Sequence, residues 1–244
     1  MKPIILIPAR MASSRLPGKP LAEIAGEPMI AHVWRRACAA NAGPVVVAAA
    51  DPEIVRAIEC RGGRAVLTEA SLASGSDRIF AALNLVDCDN AHDVAVNVQG
   101  DLPALEPSYV NDVVAALAAT GADIATLAAE IDDPADRIDP AVVKPVVAWE
   151  PGGKRGRALY FTRATAPAGA GPLYYHVGIY AFTRRALARF VGLPPSPLEK
   201  REKLEQLRAL EAGMSIAVAR VDRVPLSVDT PADLEEARRL LTRR

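Results

Sequence analysis

Short, nearly uninterrupted apolar runs recur along the first hundred residues, each followed by a stretch whose apolar positions repeat at helical spacing. Residues 3–7 (PIILI) predict a strand, and a helix is expected from about Pro28 to Asn41, with Ile30, Val33, Trp34 and Ala37 on one face. PVVVAA (44–49) predicts a second strand and Pro52 to Arg61 a short helix. Arg64–Leu67 predicts a third strand, followed by a helix from about Ser76 to Val86, and DVAVNV (93–98) a fourth strand. Continuous rather than alternating apolar strands, separated by helices, indicate a parallel sheet covered on both faces.

After about residue 131 the pattern changes. AVVKPVVAW (141–149), ALYFTRATAP (158–167) and YYHVGIYAF (174–182) predict longer strands in a mixed or antiparallel extension. Residues 196–213 predict one helix, with a Ser-Pro start, apolar Leu198, Leu204, Leu207 and Leu210, and Gly213 as a stop. A strand (215–221) and a helix from Pro231 close the chain. The expectation is a single α/β domain over 1–244 with an inserted or appended small lobe.

Composition narrows the function classes. Half of the 244 residues are hydrophobic, enough for one large α/β core. Lys+Arg and Asp+Glu both number 29, so there is no basic excess to neutralise a nucleic-acid backbone. No signal-like N-terminus and no uninterrupted run of about eighteen apolar residues is present, which predicts a soluble cytoplasmic protein without membrane insertion. Cys38, Cys60 and Cys88 are scattered singly and fit neither a zinc site nor a disulfide framework.

One loop departs from this neutral balance. PARMASSRLPGKP (8–20) carries Arg10, Arg15 and Lys19 and no acid, directly after the first strand. It is not a Walker A loop, because Gly18-Lys19 is followed by Pro20, and no GxGxxG is present. What remains is a side-chain clamp for an anion, with Ser13, Ser14 and backbone N–H groups supplementing charge-assisted donors suited to a triphosphate. Taken alone, the segment reads equally well as a solvated basic loop.

Two acids alter that reading. Asp101 ends NVQGD (97–101) after the fourth strand, where ligands bind in open α/β sheets. Asp229 lies after another apolar strand and just before a helix start, where either it or Thr230 is also a candidate N-cap. Two aspartates at strand ends beside a cationic triphosphate clamp form a hard oxygen site for Mg²⁺ and fit nucleotidyl transfer.

IPARMASSRLPGKPL, SGSDRI (74–79), VNVQGD (96–101), YFTRAT (160–165), HVGIYAF (176–182), SPLEKREKLEQLR (196–208) and VDTPADLE (228–235) occur in this order. Together, over about residues 3–240, they resemble the 3-deoxy-D-manno-octulosonate (Kdo) cytidylyltransferase family. The resemblance implies a Rossmann-like, GT-A-like nucleotidyltransferase fold: a three-layer sandwich on a mainly parallel central sheet with a small mixed β extension. It implies transfer of CMP from CTP to Kdo for lipopolysaccharide biosynthesis, dependence on Mg²⁺, and a homodimer in which residues of about 132–195 form a sugar-binding and dimerisation lobe. By the same resemblance Arg10, Ser14 and Lys19 contact the triphosphate, while Arg15, Ser74, Gly75, Arg78 and Gln99 line the nucleotide pocket. Asp101 and Asp229 hold the metal, and Arg10, Lys19, Asp101 and Asp229 are the catalytic set. Gln99, Arg163, His176, Tyr180, Glu205 and Gln206 line the sugar-acid pocket, where Arg163 suits the carboxylate and the others suit hydroxyls.

The chain departs from that pattern in three places. Leu102 stands where the family usually has an acid after the Asp of QGD. Ala50 precedes Asp51 where a Thr is common, and the stretch from Pro167 to Pro172 is short and rich in Gly and Ala. Rival readings are a cytidylyltransferase for another α-keto acid sugar, such as 8-amino-Kdo or a nonulosonate, and a CTP-binding protein without catalysis.

Overall fold

Ile4 to Ile7 are completely buried in β1 (Pro3–Ala9), which explains an apolar run with no alternation. The computed structural model describes residues 1–13 and 15–242. It divides into two units, Met1–Asn111 with Pro225–Arg244, and Asp112–Val224.

In the first unit β1 is followed by the two-residue strands β2 (Glu23–Ile24) and β3 (Glu27–Pro28), then α1 (Met29–Ala39), β4 (Val45–Ala49) and α2 (Pro52–Glu59). β5 (Arg64–Leu67), α3 (Gly75–Val86) and β6 (Val94–Asn97) follow. β1 pairs in parallel with β4 on one side and β6 on the other, and β4 pairs in parallel with β5, giving the order β5-β4-β1-β6. The expected parallel strands and their helical crossovers are therefore present, with ends shifted by one or two residues. α4 (Ser108–Thr120) spans the division between the units.

The second unit continues with β7 (Ile124–Glu130), α5 (Pro134–Ile138), β8 (Lys144–Trp149), β9 (Arg155–Thr162) and β10 (Tyr174–Thr183). α6 (Arg184–Val191), α7 (Pro197–Glu202), α8 (Leu207–Glu211) and β11 (Ile216–Val221) complete it. Its strands run in the order β10-β7-β11-β9-β8. β7–β11 is parallel and the other pairs are antiparallel, which is the mixed extension expected from the sequence.

The single helix expected over 196–213 is corrected by the structure to two helices. Ser196 and Glu199 form a capping box at the start of α7, but Lys203 adopts a left-handed conformation (φ 57°) and ends that helix. Residues 204–206 link it to α8. The leucine spacing misled because Leu204 and Leu207 are buried just beyond the break, whereas α7 before it buries no residue.

The chain then returns to the first unit as α9 (Pro231–Thr242). Leu234 and Ala237 pack in a buried cluster with Ile24, Met29 and Val228. Arg238 Nε donates to the Glu23 carbonyl at 2.8 Å, tying α9 to β2. Among the described residues no helix is long and apolar enough to cross a membrane.

Candidate active site

The basic loop is held at both ends. The Met11 N–H donates to Asp51 Oδ2 at 2.7 Å, so Asp51, the N-cap residue of α2, spends its carboxylate on the loop rather than on its own helix. Gly18 N–H closes the loop onto the Met11 carbonyl at 3.3 Å. Gly18 itself has φ 69°, a conformation that favours glycine, and it opens the 3₁₀ turn Lys19–Leu21 that presents Lys19.

The QGD segment is fixed by close approach. A Cβ on Gly100 would lie 2.7 Å from the Pro8 carbonyl oxygen, so only glycine lets the segment pass the end of β1. Asp101 follows at once, and its carbonyl accepts the Val228 N–H at 2.9 Å. That bond brings the returning chain alongside. Thr230 and Asp233 take over the capping of α9: Asp233 Oδ2 accepts the Asp229 and Thr230 N–H groups at 2.9 and 2.8 Å, and Thr230 Oγ1 accepts the Asp233 N–H at 3.3 Å. Asp229 is thereby free of cap duty.

Both aspartates converge on one cation. Lys19 Nζ donates to Asp101 Oδ2 at 2.8 Å and to Asp229 Oδ1 at 3.0 Å, and Arg15 Nη2 lies 3.2 Å from the same Asp229 oxygen. Burial works against the Lys19 charge, but Asp101 and then Asp229 outweigh it, so its pKa is raised above the ordinary lysine value. Pro8, Ala9, Arg10, Lys19, Pro20, Gln99, Gly100 and Asp101 line an open depression. Arg10, Arg15, Lys19, Gln99, Asp101 and Asp229 are thus brought together; Ser14 lies outside the described residues.

The α3 residues stand close by. Ser74 caps α3 reciprocally with Asp77, and its hydroxyl donates to Asp77 Oδ2 at 2.9 Å. Gly75 would place a Cβ 3.4 Å from the Pro8 side chain. Arg78 is buried and donates to Thr68 Oγ1 at 2.7 Å and to the Glu69 carbonyl at 3.0 Å. Burial and then the charge of Arg10 pull its pKa down, against the opposing pull of Asp51. Leu102 is buried, so in this chain the side chain after Asp101 belongs to the core.

The residues expected on the sugar acid lie in the second unit. His176 and Tyr180 are neighbours on β10 with ring centroids 5.5 Å apart, and Phe161 meets His176 edge-on at 5.0 Å. Burial lowers the His176 pKa to about 4, so the ring is neutral at pH 7. Burial, and then Glu205, raises that of Tyr180. Glu205 and Gln206 sit in the link between α7 and α8, not on one helical turn; Glu205 approaches Arg208 Nη2 at 3.8 Å, and Gln206 is buried. Arg163 spends Nε on the Glu202 carbonyl (2.9 Å) and Nη1 on the Pro140 carbonyl (3.0 Å), which leaves three of its five N–H donors for a ligand.

Two residues that hold this arrangement escape sequence reasoning. The Glu202 carboxylate accepts from Thr162 Oγ1 at 2.9 Å and from the Arg163 N–H at 3.1 Å, pinning the end of α7 to β9. In the sequence it is one more acid in a Lys/Glu-rich stretch. Lys144 is completely buried, and its ammonium donates to the Asp139 carbonyl and, at 3.5 Å, to that of Arg163. Nothing in its sequence context marks it. The short Pro167–Pro172 stretch is tied to α5 by Arg137 Nη2 on the Gly171 carbonyl at 2.8 Å.

A family model described as cytidylyltransferase matches residues 4–216. The chain is 63% identical over 242 residues to the 3-deoxy-manno-octulosonate cytidylyltransferase of Rhodospirillum centenum, covering 99% of this chain and 94% of that protein. It is 62% identical to the protein of the same name from Parvibaculum lavamentivorans, covering 99% and 93%. The solved structure of CMP:2-keto-3-deoxy-manno-octonic acid synthetase complexed with CTP matches with a TM-score of 0.92 at 38% identity, covering 100% of this chain and 99% of that one. With motifs, fold and relatives in agreement over nearly the whole length, the chain belongs to the 3-deoxy-manno-octulosonate cytidylyltransferase family.

Proposed function

We propose that this chain transfers the CMP unit of CTP to the anomeric hydroxyl of Kdo. The anomeric oxygen forms a bond to the α-phosphorus, the bond from that phosphorus to the bridging oxygen breaks, pyrophosphate leaves, and the hydroxyl proton passes to solvent. The observation that carries this reading is the convergence of Asp101 and Asp229 on a single cation beside the depression lined by Arg10 and Gln99.

That convergence is also the test of fit for Mg²⁺. Two carboxylates already spaced to share one cation, with substrate phosphates and water completing the shell, match the preference of Mg²⁺ for one or two protein carboxylates. Asp101 and Asp229 would hold it, and when bound it would neutralise phosphate charge and make the sugar hydroxyl more acidic. Arg10 and Lys19 donate to the triphosphate and stabilise the charge that builds on the leaving pyrophosphate. Arg15, Ser74, Gly75, Arg78 and Gln99 border the nucleotide. Arg163 receives the sugar carboxylate, and Gln99, His176, Tyr180, Glu205 and Gln206 its hydroxyls. No general base is assigned. The reading carries with it a cytoplasmic homodimer acting on soluble precursors, and sedimentation of the full chain tests the dimer.

Pyrophosphate release with CTP against the other nucleoside triphosphates, with and without Kdo, tests the reaction. Kdo should be preferred over its 8-amino analogue and over sialic acid. Asp101→Asn should abolish turnover while circular dichroism shows an intact fold; near-normal turnover in that variant removes Asp101 from the chemistry.

A further inference from the structure

Thr126 lies on β7, completely buried, opposite a bulge in β10. Val177 pairs with Leu127, but the next paired residue, Tyr180, faces Thr126, so residues 178 and 179 are extra on the β10 side. The bulge turns two carbonyls toward one hydroxyl: Thr126 Oγ1 lies 2.9 Å from the Ile179 oxygen and 3.2 Å from the Val177 oxygen. The same oxygen lies 2.9 Å from His176 Nε2.

A threonine hydroxyl has one proton, and carbonyl oxygens only accept. The proton therefore goes to the carbonyls; any other orientation leaves two acceptor–acceptor contacts inside a core. What faces His176 is then a lone pair, so Nε2 carries the ring proton. The ring is neutral at pH 7, which leaves Nδ1 unprotonated. Among the described residues Nδ1 has no hydrogen-bond partner, and it is not a sealed, unsatisfied atom either. Its other close neighbours are the rings of Phe161 and Tyr180.

We propose that Thr126 is a positioning residue: it locks His176 in the Nε2–H tautomer, so that Nδ1 is offered as a pure acceptor to one hydroxyl of the sugar acid. The tautomer follows from the geometry alone, whereas its use on a sugar hydroxyl rests on the function proposed above. The lock makes His176 selective. A substrate group that donates a hydrogen bond is accepted, and one that only accepts, such as a methyl ether at that position, is refused.

The chain has three histidines, so ¹⁵N spectra of the labelled full-length protein are simple to assign, using His176→Gln to identify the His176 signals. The expected pattern is a protonated Nε2 and an unprotonated Nδ1, the latter far downfield. Adding Kdo with a non-hydrolysable CTP analogue should shift Nδ1 without protonating it. Thr126→Val should mix the tautomers and raise KM for Kdo roughly three- to tenfold, the range of one neutral hydrogen bond, with a smaller change in kcat and none in KM for CTP. Thr126→Ser should restore both the spectrum and KM. A wild-type His176 protonated on Nδ1 overturns the proposal, and that measurement stands even if Thr126→Val does not fold. The expected tautomer with a His176 that ignores Kdo, in an enzyme that still turns over, overturns its use on the sugar and leaves the reaction intact. Failure of every sugar acid to release pyrophosphate from CTP overturns the function proposed above instead.

Discussion

Replacing Lys19 by Met removes the one ammonium shared by Asp101 and Asp229 while keeping the length of the side chain. Nζ sits 2.8 and 3.0 Å from the two carboxylate oxygens, and tetrahedral N–H directions put those oxygens about 5 Å apart. Two negative charges at that separation repel by about 0.8 kcal/mol in bulk water and about 3 kcal/mol at an effective dielectric of about 20. The Asp101 side chain is 25% exposed and that of Asp229 38%, so the environment lies between those limits. Lys19→Met is therefore expected to lower stability by about 1–3 kcal/mol at pH 7. The same vacancy suits a divalent cation. Without nucleotide, Mg²⁺ at ten times its dissociation constant should return about 1.4 kcal/mol to the variant. The wild type should respond far less, because its own ammonium competes. Urea titrations of both proteins at pH 7, with and without Mg²⁺, read both quantities. A variant as stable as the wild type and indifferent to Mg²⁺ would refute the idea that the two carboxylates form a cation site.

Three further expectations follow from particular contacts. His176 has a folded pKa of about 4 against an ordinary 6.5, so the unfolded chain binds more protons between those values and stability falls as pH drops through that window. The loss amounts to about 3 kcal/mol by pH 4, and the difference in urea midpoints between wild type and His176→Gln should isolate it. Gly100→Ala sets a Cβ 2.7 Å from a backbone oxygen and must move the segment that carries Asp101. It should cost about 1–3 kcal/mol of stability and, by misplacing that carboxylate, about a hundredfold in kcat. Glu202→Ala releases the Thr162 hydroxyl and the Arg163 N–H, and should raise KM for Kdo while leaving calorimetric CTP binding unchanged.

The parallel strands of the first unit could be read directly because burial on both faces demands uninterrupted apolar runs, and Ile4–Ile7 and Val46–Ala49 meet that demand completely. Asp101 was legible for a related reason: it follows β6 at the point where a fold of this class gathers its ligands. The strand expected just before Asp229 is absent: β11 ends at Val221, and Asp229 reaches Lys19 from an irregular segment fixed by the Val228 bond to Asp101. The break at Lys203 was not legible. A non-glycine residue at φ 57° has no sequence signature, and the leucine period runs through it undisturbed. What supports the break is tertiary, since Glu202 is drawn onto β9 by Thr162 and Arg163. α4 and β7 are alanine-rich, with little contrast between faces, so neither period stands out there. Thr126 acts only through partners remote in sequence, His176 lying fifty positions away, and Lys144 reaches Arg163 nineteen positions away as well as the nearby Asp139 carbonyl.

The first unit is discontinuous, leaving off at Asn111 and resuming only at Pro225. Asp229 and the cap that frees it belong to the resumed piece. On the ribosome, residues 1–224 emerge before the second carboxylate of the pair exists, and Lys19 meets its full complement of acids only when the last segment arrives. Chains cut short in translation, or clipped by a protease near residue 225, keep the basic loop and Asp101 but lack the second carboxylate that meets Lys19. Emergence of residues 225–229 is thus the step that completes the acid pair around Lys19.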